Sequence, residues 1–274
     1  MNYELKFESP SFIKRIKGML GVDFYRLFHT PLFYIFIAIA AIIPAMVLAM
    51  TGIENPTTGE IMKLYDNTWQ VVAAVKPLYV VRDISEYANM NMVYIFGGIM
   101  VSIFIGHDYK SGYVKQLFTT HAKKQDYMIS KTAIGAFSMA CMCVSYLFGT
   151  IIAGALVQYS FSVNIGSLLI AILSKIVMSL GWASLYTMLN IIFRRYFGIS
   201  IASCFFFGTG ILIIGAAAIV GNSSILNIFL YGSSVYACLN SSILTLLVCI
   251  GISSLWTIIY NLLGTYILSK SDVY

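Results

Sequence analysis

The sequence predicts an all-α polytopic membrane protein with six transmembrane helices, and three observations carry that reading. Hydrophobic residues make up 59% of the 274-residue chain and charged residues only 10%, whereas soluble domains carry about 25% charged and about 45–50% apolar residues. Six apolar stretches approach the ~20 residues that a helix needs to cross a hydrocarbon core. Lysine and arginine then alternate from gap to gap between those stretches, as expected of a chain threading back and forth. A soluble fold of this length cannot hide so much apolar surface, so lipid must solvate most of the chain. The net charge of +6 sits in the gaps. It reads as topology, and no nucleic-acid partner is expected.

Met1 is followed by Glu4, Lys6, Glu8 and Lys14, not by a short apolar core with a cleavage site. No cleavable signal peptide is expected, and the first span serves as its own insertion signal. Residues 1–31 read as a cytoplasmic N-terminal segment and residues 32–274 as a six-helix transmembrane domain. The spans fall at 32–50 (with Pro44 as a candidate kink), 89–105, 134–157, 168–193, 199–220 and 243–268. One side holds Lys6, Lys14, Arg15, Lys17 and Arg26, then Lys110, Lys115, Lys123, Lys124 and Lys131, then Arg194 and Arg195, and finally Lys270. The other side holds only Lys63, Lys76 and Arg82, outnumbered by Glu54, Glu60, Asp66, Asp83 and Glu86. Both termini are therefore expected in the cytoplasm, with the plasma membrane of a prokaryote as the location.

Outside the spans, residues 11–27 read as an amphipathic helix. Phe12, Ile16, Met19, Leu20, Phe24 and Leu27 recur at helical spacing, and Lys14, Arg15, Lys17 and Asp23 are expected mostly elsewhere on the wheel. Such a helix either lies in the membrane interface or extends the first span. The break at His29, Thr30 and Pro31 favours the interface. The loop 51–87 carries Tyr65, Trp69, Tyr79 and Tyr87, which read as headgroup anchors or as the lining of a substrate route. The fifth gap, 221–242, is uncharged and holds Ile225, Leu226, Ile228, Phe229, Leu230 and Tyr231. It is expected to dip into the membrane as one or two short helices, its backbone satisfied by protein contacts.

The inner gap between spans two and three is the most informative. Ser111 and Gly112 are placed to start a short helix with Val114, Leu117 and Phe118 on one side and lysines around it. Two fates fit that small apolar face: a groove on a partner protein, or the inner ends of the chain's own helices.

This region resembles the permease subunits of ABC-2-type ATP-binding-cassette transporters. That family carries an acidic residue at the inner end of span two, a Gly-Thr turn, a basic residue, two leucines, a Pro, an Arg, and a Lys entering span three. Here Asp108 stands near the acidic position and Gly112 matches the glycine, with Tyr113 in place of Thr. Lys115 or Gln116 falls at the basic position, and Leu117 with Phe118 replaces the leucines. His121 replaces the Pro, Lys124 the Arg, and Lys131 matches the Lys. The interfacial helix, the six spans and the apolar fifth gap extend the resemblance along nearly the whole chain. It implies a permease that pairs with a second, identical or homologous permease chain. It also implies docking to ATPase subunits through a coupling helix containing Gly112, Tyr113, Val114, Lys115, Leu117, Phe118 and Lys124. Export of an antimicrobial peptide, antibiotic or lipid would follow, with ATP and Mg bound on the partner ATPase.

No phosphate-binding G-x-x-x-x-G-K-[ST] loop occurs, so an enzyme is not expected and this chain is assigned no cofactor. Lys175 is the clear intramembrane cation; it either faces a substrate pathway or snorkels outward. His29, His107 and His121 form no ligand spacing, and no metal site is expected. Cys141, Cys143, Cys204, Cys238 and Cys249 read as buried reduced thiols. No G-x-S-x-G elbow is present. The alternatives are a secondary transporter, or an immunity or sensor protein working without an ATPase. The lack of carboxylates inside the assigned spans argues against the former.

Overall fold

The computed structural model describes residues 11–50, 52–54, 61–63, 67–72, 90–119, 122–162, 164–210, 227–239 and 242–270. The apolar runs and the breaks between them set the elements. Helix α1 spans Phe12–Phe28 and α2 spans Pro31–Met50. Pro31 opens α2 at the position where a missing N–H costs nothing, and the chain stays helical through Pro44. Short strands β1 (Gly52–Glu54) and β2 (Ile61–Lys63) pair antiparallel, Ile53 opposite Met62, and a single 3₁₀ turn covers Thr68–Val71. Then come α3 (Met92–Lys110), α4 (Tyr113–Thr119), α5 (Lys124–Val157), α6 (Ile165–Ile192), α7 (Phe197–Gly208), α8 (Leu230–Leu239) and α9 (Ile243–Lys270).

Five of these helices, α2, α3, α5, α6 and α9, are long and apolar enough to cross a membrane. Two of them, α9 and α5, bury many small and polar side chains and turn large apolar ones outward. Along α9 the buried positions include Thr245, Cys249, Ser253 and Gly264, while Leu244, Leu247, Leu255, Ile258 and Leu262 are exposed. On α5, Ser130, Ser138, Gly149, Thr150 and Gly154 face inward and Phe148, Ile152 and Leu156 outward. Small and polar side chains join helices where lipid is the solvent, because apolar side chains gain nothing by leaving it. The chain is a multi-pass helical membrane protein.

Helix α6 is central, packed against α5 and, most extensively, α9, while α2 lies along α5 and α3 lies against α5, α6 and α7. The α2–α5 contact is backbone-close. A Cβ on Gly149 would run into the Ala41 carbonyl, so only glycine permits that approach. Helices α6 and α9 run parallel: Ser253 Oγ donates to the Val177 carbonyl at 2.8 Å, and farther along the Gly264 position abuts Met188. Helices α3 and α7 run antiparallel, with Gly106 beside Phe197, Ser102 beside Cys204 and Ile95 beside Gly208.

The 34-residue α5 is about 51 Å long at 1.5 Å per residue, against a hydrocarbon core of about 30 Å. It begins at Lys124, ten residues before the expected start of span three, because α1 and α4 bury its first turns. The second half of the expected fifth span (211–220), much of the fifth gap (221–226 and 240–241), Tyr65, Tyr79, Tyr87 and His121 lie outside the described residues.

Candidate functional site

At one end of the bundle a buried ionic cluster joins α1, α3 and α5. Asp23 of α1 and Asp108 of α3 are both 0% exposed. The ammonium of Lys131 on α5 sits between them, 2.6 Å from Asp23 Oδ1 and 2.7 Å from Asp108 Oδ2. Arg26 of α1 bonds the other oxygen of Asp108 and lies 3.5 Å from Asp23. Ser130 donates to Asp23 at 2.7 Å and Tyr127 to Asp108 at 3.2 Å. Two carboxylates thus meet two cations, with hydroxyls taking remaining lone pairs, which is the condition for burying charge at tolerable cost. Aromatic faces close the site: Arg26 stands 4.5 Å from the Tyr113 ring centroid, and Lys131 stands 4.8 Å from that of Phe104. Burial works against the charge on Arg26, but Asp108 and then Asp23 more than offset it and hold the guanidinium above its ordinary value. Burial, and next Asp23, push the Tyr113 phenol up, with Arg26 opposing.

One correction concerns α1. Asp23 is not off the apolar face; Met19, Asp23 and Leu27, four residues apart, form its buried stripe. A second clamp holds the start of the helix, where Arg15 Nε donates to the buried Asp126 of α5 at 2.7 Å. Away from this stripe α1 exposes Ile13, Val22 and Tyr25, apolar groups suited to the membrane interface.

A short helix, α4, stands after Gly112, where one was expected. Gly112 adopts φ +73 and turns the chain from α3 into it. Of the two fates left open for its apolar face, the chain's own helices claim it. Val114 is buried with Met19, Tyr127, Met128, Ile191 and Leu268, and Leu117 and Phe118 pack against this group. Phe118 makes an edge contact with Tyr127 at 5.8 Å. Lys115, Gln116 and Thr119 are exposed on the other side. Tyr113 belongs to the ionic cluster. Lys124 points elsewhere, its ammonium bonding the Leu268 carbonyl at 2.8 Å and that of Ser269 at 3.3 Å. It thereby caps the C-terminus of α9, where orphan carbonyls and the helix dipole favour a cation.

Lys175 is remote from this cluster. It is the eleventh residue of α6, about 15 Å along the axis, and fully buried. Its ammonium bonds the Ser234 carbonyl of α8 at 2.7 Å and the Asn91 side chain before α3. Tyr94 donates to the Lys175 carbonyl at 2.7 Å, and Trp182 Nε1 to Ser234 Oγ at 3.1 Å. At the opposite end from the ionic cluster, Trp69 bonds the Phe161 carbonyl at 3.2 Å and Thr68 that of Ser160 at 2.9 Å. These bonds dock the 3₁₀ turn onto the loop between α5 and α6.

Sequence reasoning missed Asp23, Arg26, Arg15 and Asp126. Asp23 was detectable, since it shares a heptad-like stripe with Met19 and Leu27 and has Arg26 three residues on. The Arg15–Asp126 pair has no local signal, being 111 residues apart in sequence. Its carboxylates and cations pair across α1, α3 and α5, so the cluster joins three helices. No family model matches this chain, and no curated protein matches it.

Proposed function

We propose that this chain is the membrane-spanning permease subunit of an ABC transporter, paired with a second permease chain. It would export an amphipathic compound such as an antimicrobial peptide, antibiotic or lipid, driven by separate ATPase subunits that bind ATP and Mg. The observation that carries the proposal is the attachment of α4. This short helix presents Lys115, Gln116 and Thr119 outward, while its other face is seated on α1, α5, α6 and α9 residues. Tyr113 at its first position touches the cluster that fuses α1, α3 and α5. A push on α4 would therefore reach several spans as one body. In this reading Lys115, Gln116 and Thr119 meet the ATPase, and Val114, Leu117 and Phe118 carry the load inward. The cluster also unites the acidic and lysine positions of the family resemblance, Asp108 and Lys131.

Six spans are supported by strand-like bookkeeping of directions. Helices α6 and α9 run parallel, which favours a return crossing between them, and α7, antiparallel to α3, runs in the direction of that return. The lysine and arginine distribution supports cytoplasmic termini in a prokaryotic plasma membrane.

The test is co-purification from native membranes in mild detergent. The parent chain should bring down a nucleotide-binding subunit, and Lys115→Glu with Gln116→Glu should lower its yield at least tenfold with insertion unchanged. If the parent brings down no nucleotide-binding subunit, the permease reading fails. Transport continuing in a host lacking the ATPase would instead assign a secondary transporter, and peptide binding without transport an immunity or sensor role.

A further inference from the structure

A second charged site lies at the same end of the bundle, between α3, α6 and α7, and the coupling machinery does not use it. It is a cavity of about 500 Å³, within the roughly 300–1,000 Å³ typical of small-molecule sites. His107 and Lys110 from α3, and Arg194 and Arg195 from the turn after α6, contribute cationic or proton-accepting groups to its wall. Among the described residues, no aspartate or glutamate lines it. The nearest acid in sequence, Asp108, is turned away and held by Lys131 and Arg26. The floor is polar and fixed: buried Ser200 donates to Asn190 Oδ1, and Asn190 Nδ2 donates to Ser102 Oγ at 3.1 Å.

The remaining wall is apolar. Phe193, Phe197 and Ile103 line the cavity, and Phe197 is 47% exposed at its edge. Along α7, Ile199, Phe205 and Phe206 are also exposed apolar groups. A basic cavity beside an exposed apolar helix matches one chemistry: a phosphate group joined to acyl chains. Basic pockets between transmembrane helices at the cytoplasmic face suit anionic headgroups on this ground.

We infer that this cavity binds the phosphate headgroup of an anionic phospholipid of the inner leaflet, with the acyl chains lying along α7. Lys110 and Arg195 supply the headgroup contacts from the exposed mouth, and Arg194, packed by Tyr109, lines the cavity wall. The leaflet assignment rests on the orientation proposed above; the site itself does not depend on an ATPase.

The test uses the purified full chain in detergent micelles doped with phosphatidylglycerol or with zwitterionic phosphatidylcholine, and reads bound lipid by native mass spectrometry. The parent should retain phosphatidylglycerol in preference to phosphatidylcholine. Lys110→Gln with Arg195→Gln should weaken phosphatidylglycerol binding about tenfold or more, and Lys115→Gln with Lys123→Gln, which removes equal charge from the same side, less than about threefold. All four positions are polar and outward, and size-exclusion profiles and helical circular dichroism verify folding. Equal losses in the two double variants would overturn the site, since binding would then follow net charge alone. Displacement of the lipid by inorganic phosphate at low millimolar concentration would overturn the lipid assignment in favour of a soluble anion. No ATPase is present in this experiment, so its failure and that of the permease reading are separable.

Discussion

Replacing Lys131 by Met tests the ionic cluster at its centre. Met keeps most of the volume and removes the ammonium that Asp23 and Asp108 share at 2.6 and 2.7 Å. Two carboxylates with no solvent exposure are then left with Arg26 alone, a side chain 23% exposed. Removing one partner of a buried ion pair costs about 3–5 kcal/mol, mostly the penalty of the charge left behind. Because Arg26 and the hydroxyls of Ser130 and Tyr127 remain, the lower end applies: about 3 kcal/mol, or roughly a hundredfold in the folding equilibrium. Reversible unfolding in mixed micelles would measure it, with hydrogen exchange along α1 reporting whether that helix lifts off. Asp108→Asn in the Lys131→Met background removes one orphaned charge and should restore at least about 1 kcal/mol. If Lys131→Met costs under about 1 kcal/mol, or Asp108→Asn adds to the loss instead of restoring stability, the cluster does not hold α1 to the spans.

Further outcomes follow from other contacts. Lys124→Ala should cost about 0.5–1 kcal/mol, with faster amide exchange confined to the last turn of α9, whose carbonyls it caps; a uniform change across the bundle would contradict this. Gly149→Leu must part α2 from α5 at Ala41, and should cost about 1–3 kcal/mol or more; an unfolding curve matching the parent would show that the helices do not meet closely there. The Arg15–Asp126 pair should be asymmetric in the same unfolding assay. Arg15→Gln strands a carboxylate that is 1% exposed, whereas Asp126→Asn releases a cation already 16% exposed, so the former should be worse by about 1 kcal/mol. Lys175→Met deletes a charge whose partners are a carbonyl and an amide, and should change stability by less than about 2 kcal/mol. A pathway role would appear as lost transport at that near-parental stability, so full transport would end it.

The breaks between the helices were legible in the sequence, and the contacts that tie the bundle together were mostly not. The break at His29–Pro31, the helix after Gly112 and the apolar runs depend on neighbours within a few residues; the described residues have the break, the short helix and five membrane-length apolar helices. The start of α5 was read ten residues late because hydropathy falls at Asp126, Lys131 and Thr132. These residues nevertheless stay helical and buried, since α1 covers Asp126 and Lys131 and Asn261 of α9 meets Thr132 at 3.1 Å. Asp23 was placed off the apolar face with the basic residues of α1, although its wheel position lies between those of Met19 and Leu27. A charge on an apolar stripe is a signal of a buried partner, and here the partner is Lys131, 108 residues away.

The position of α1 has a consequence for any motion of the bundle. A helix lying only in the interface would be free to slide as lipid moves, but α1 is fixed twice to α5, through Arg15–Asp126 and through Asp23 with Ser130 and Lys131. Arg26 adds the C-terminal end of α3. The side chains it leaves exposed include Ile13, Val22 and Tyr25, apolar groups suited to a membrane interface. Any force on that surface must reach α5 and α3. Forces on α1 and on α4 therefore act on the same two helices, one through the ion pairs and the other through Tyr113 and Val114. That shared attachment is why the ionic cluster, and not the isolated Lys175, is the place where an external push would become a change in the spans.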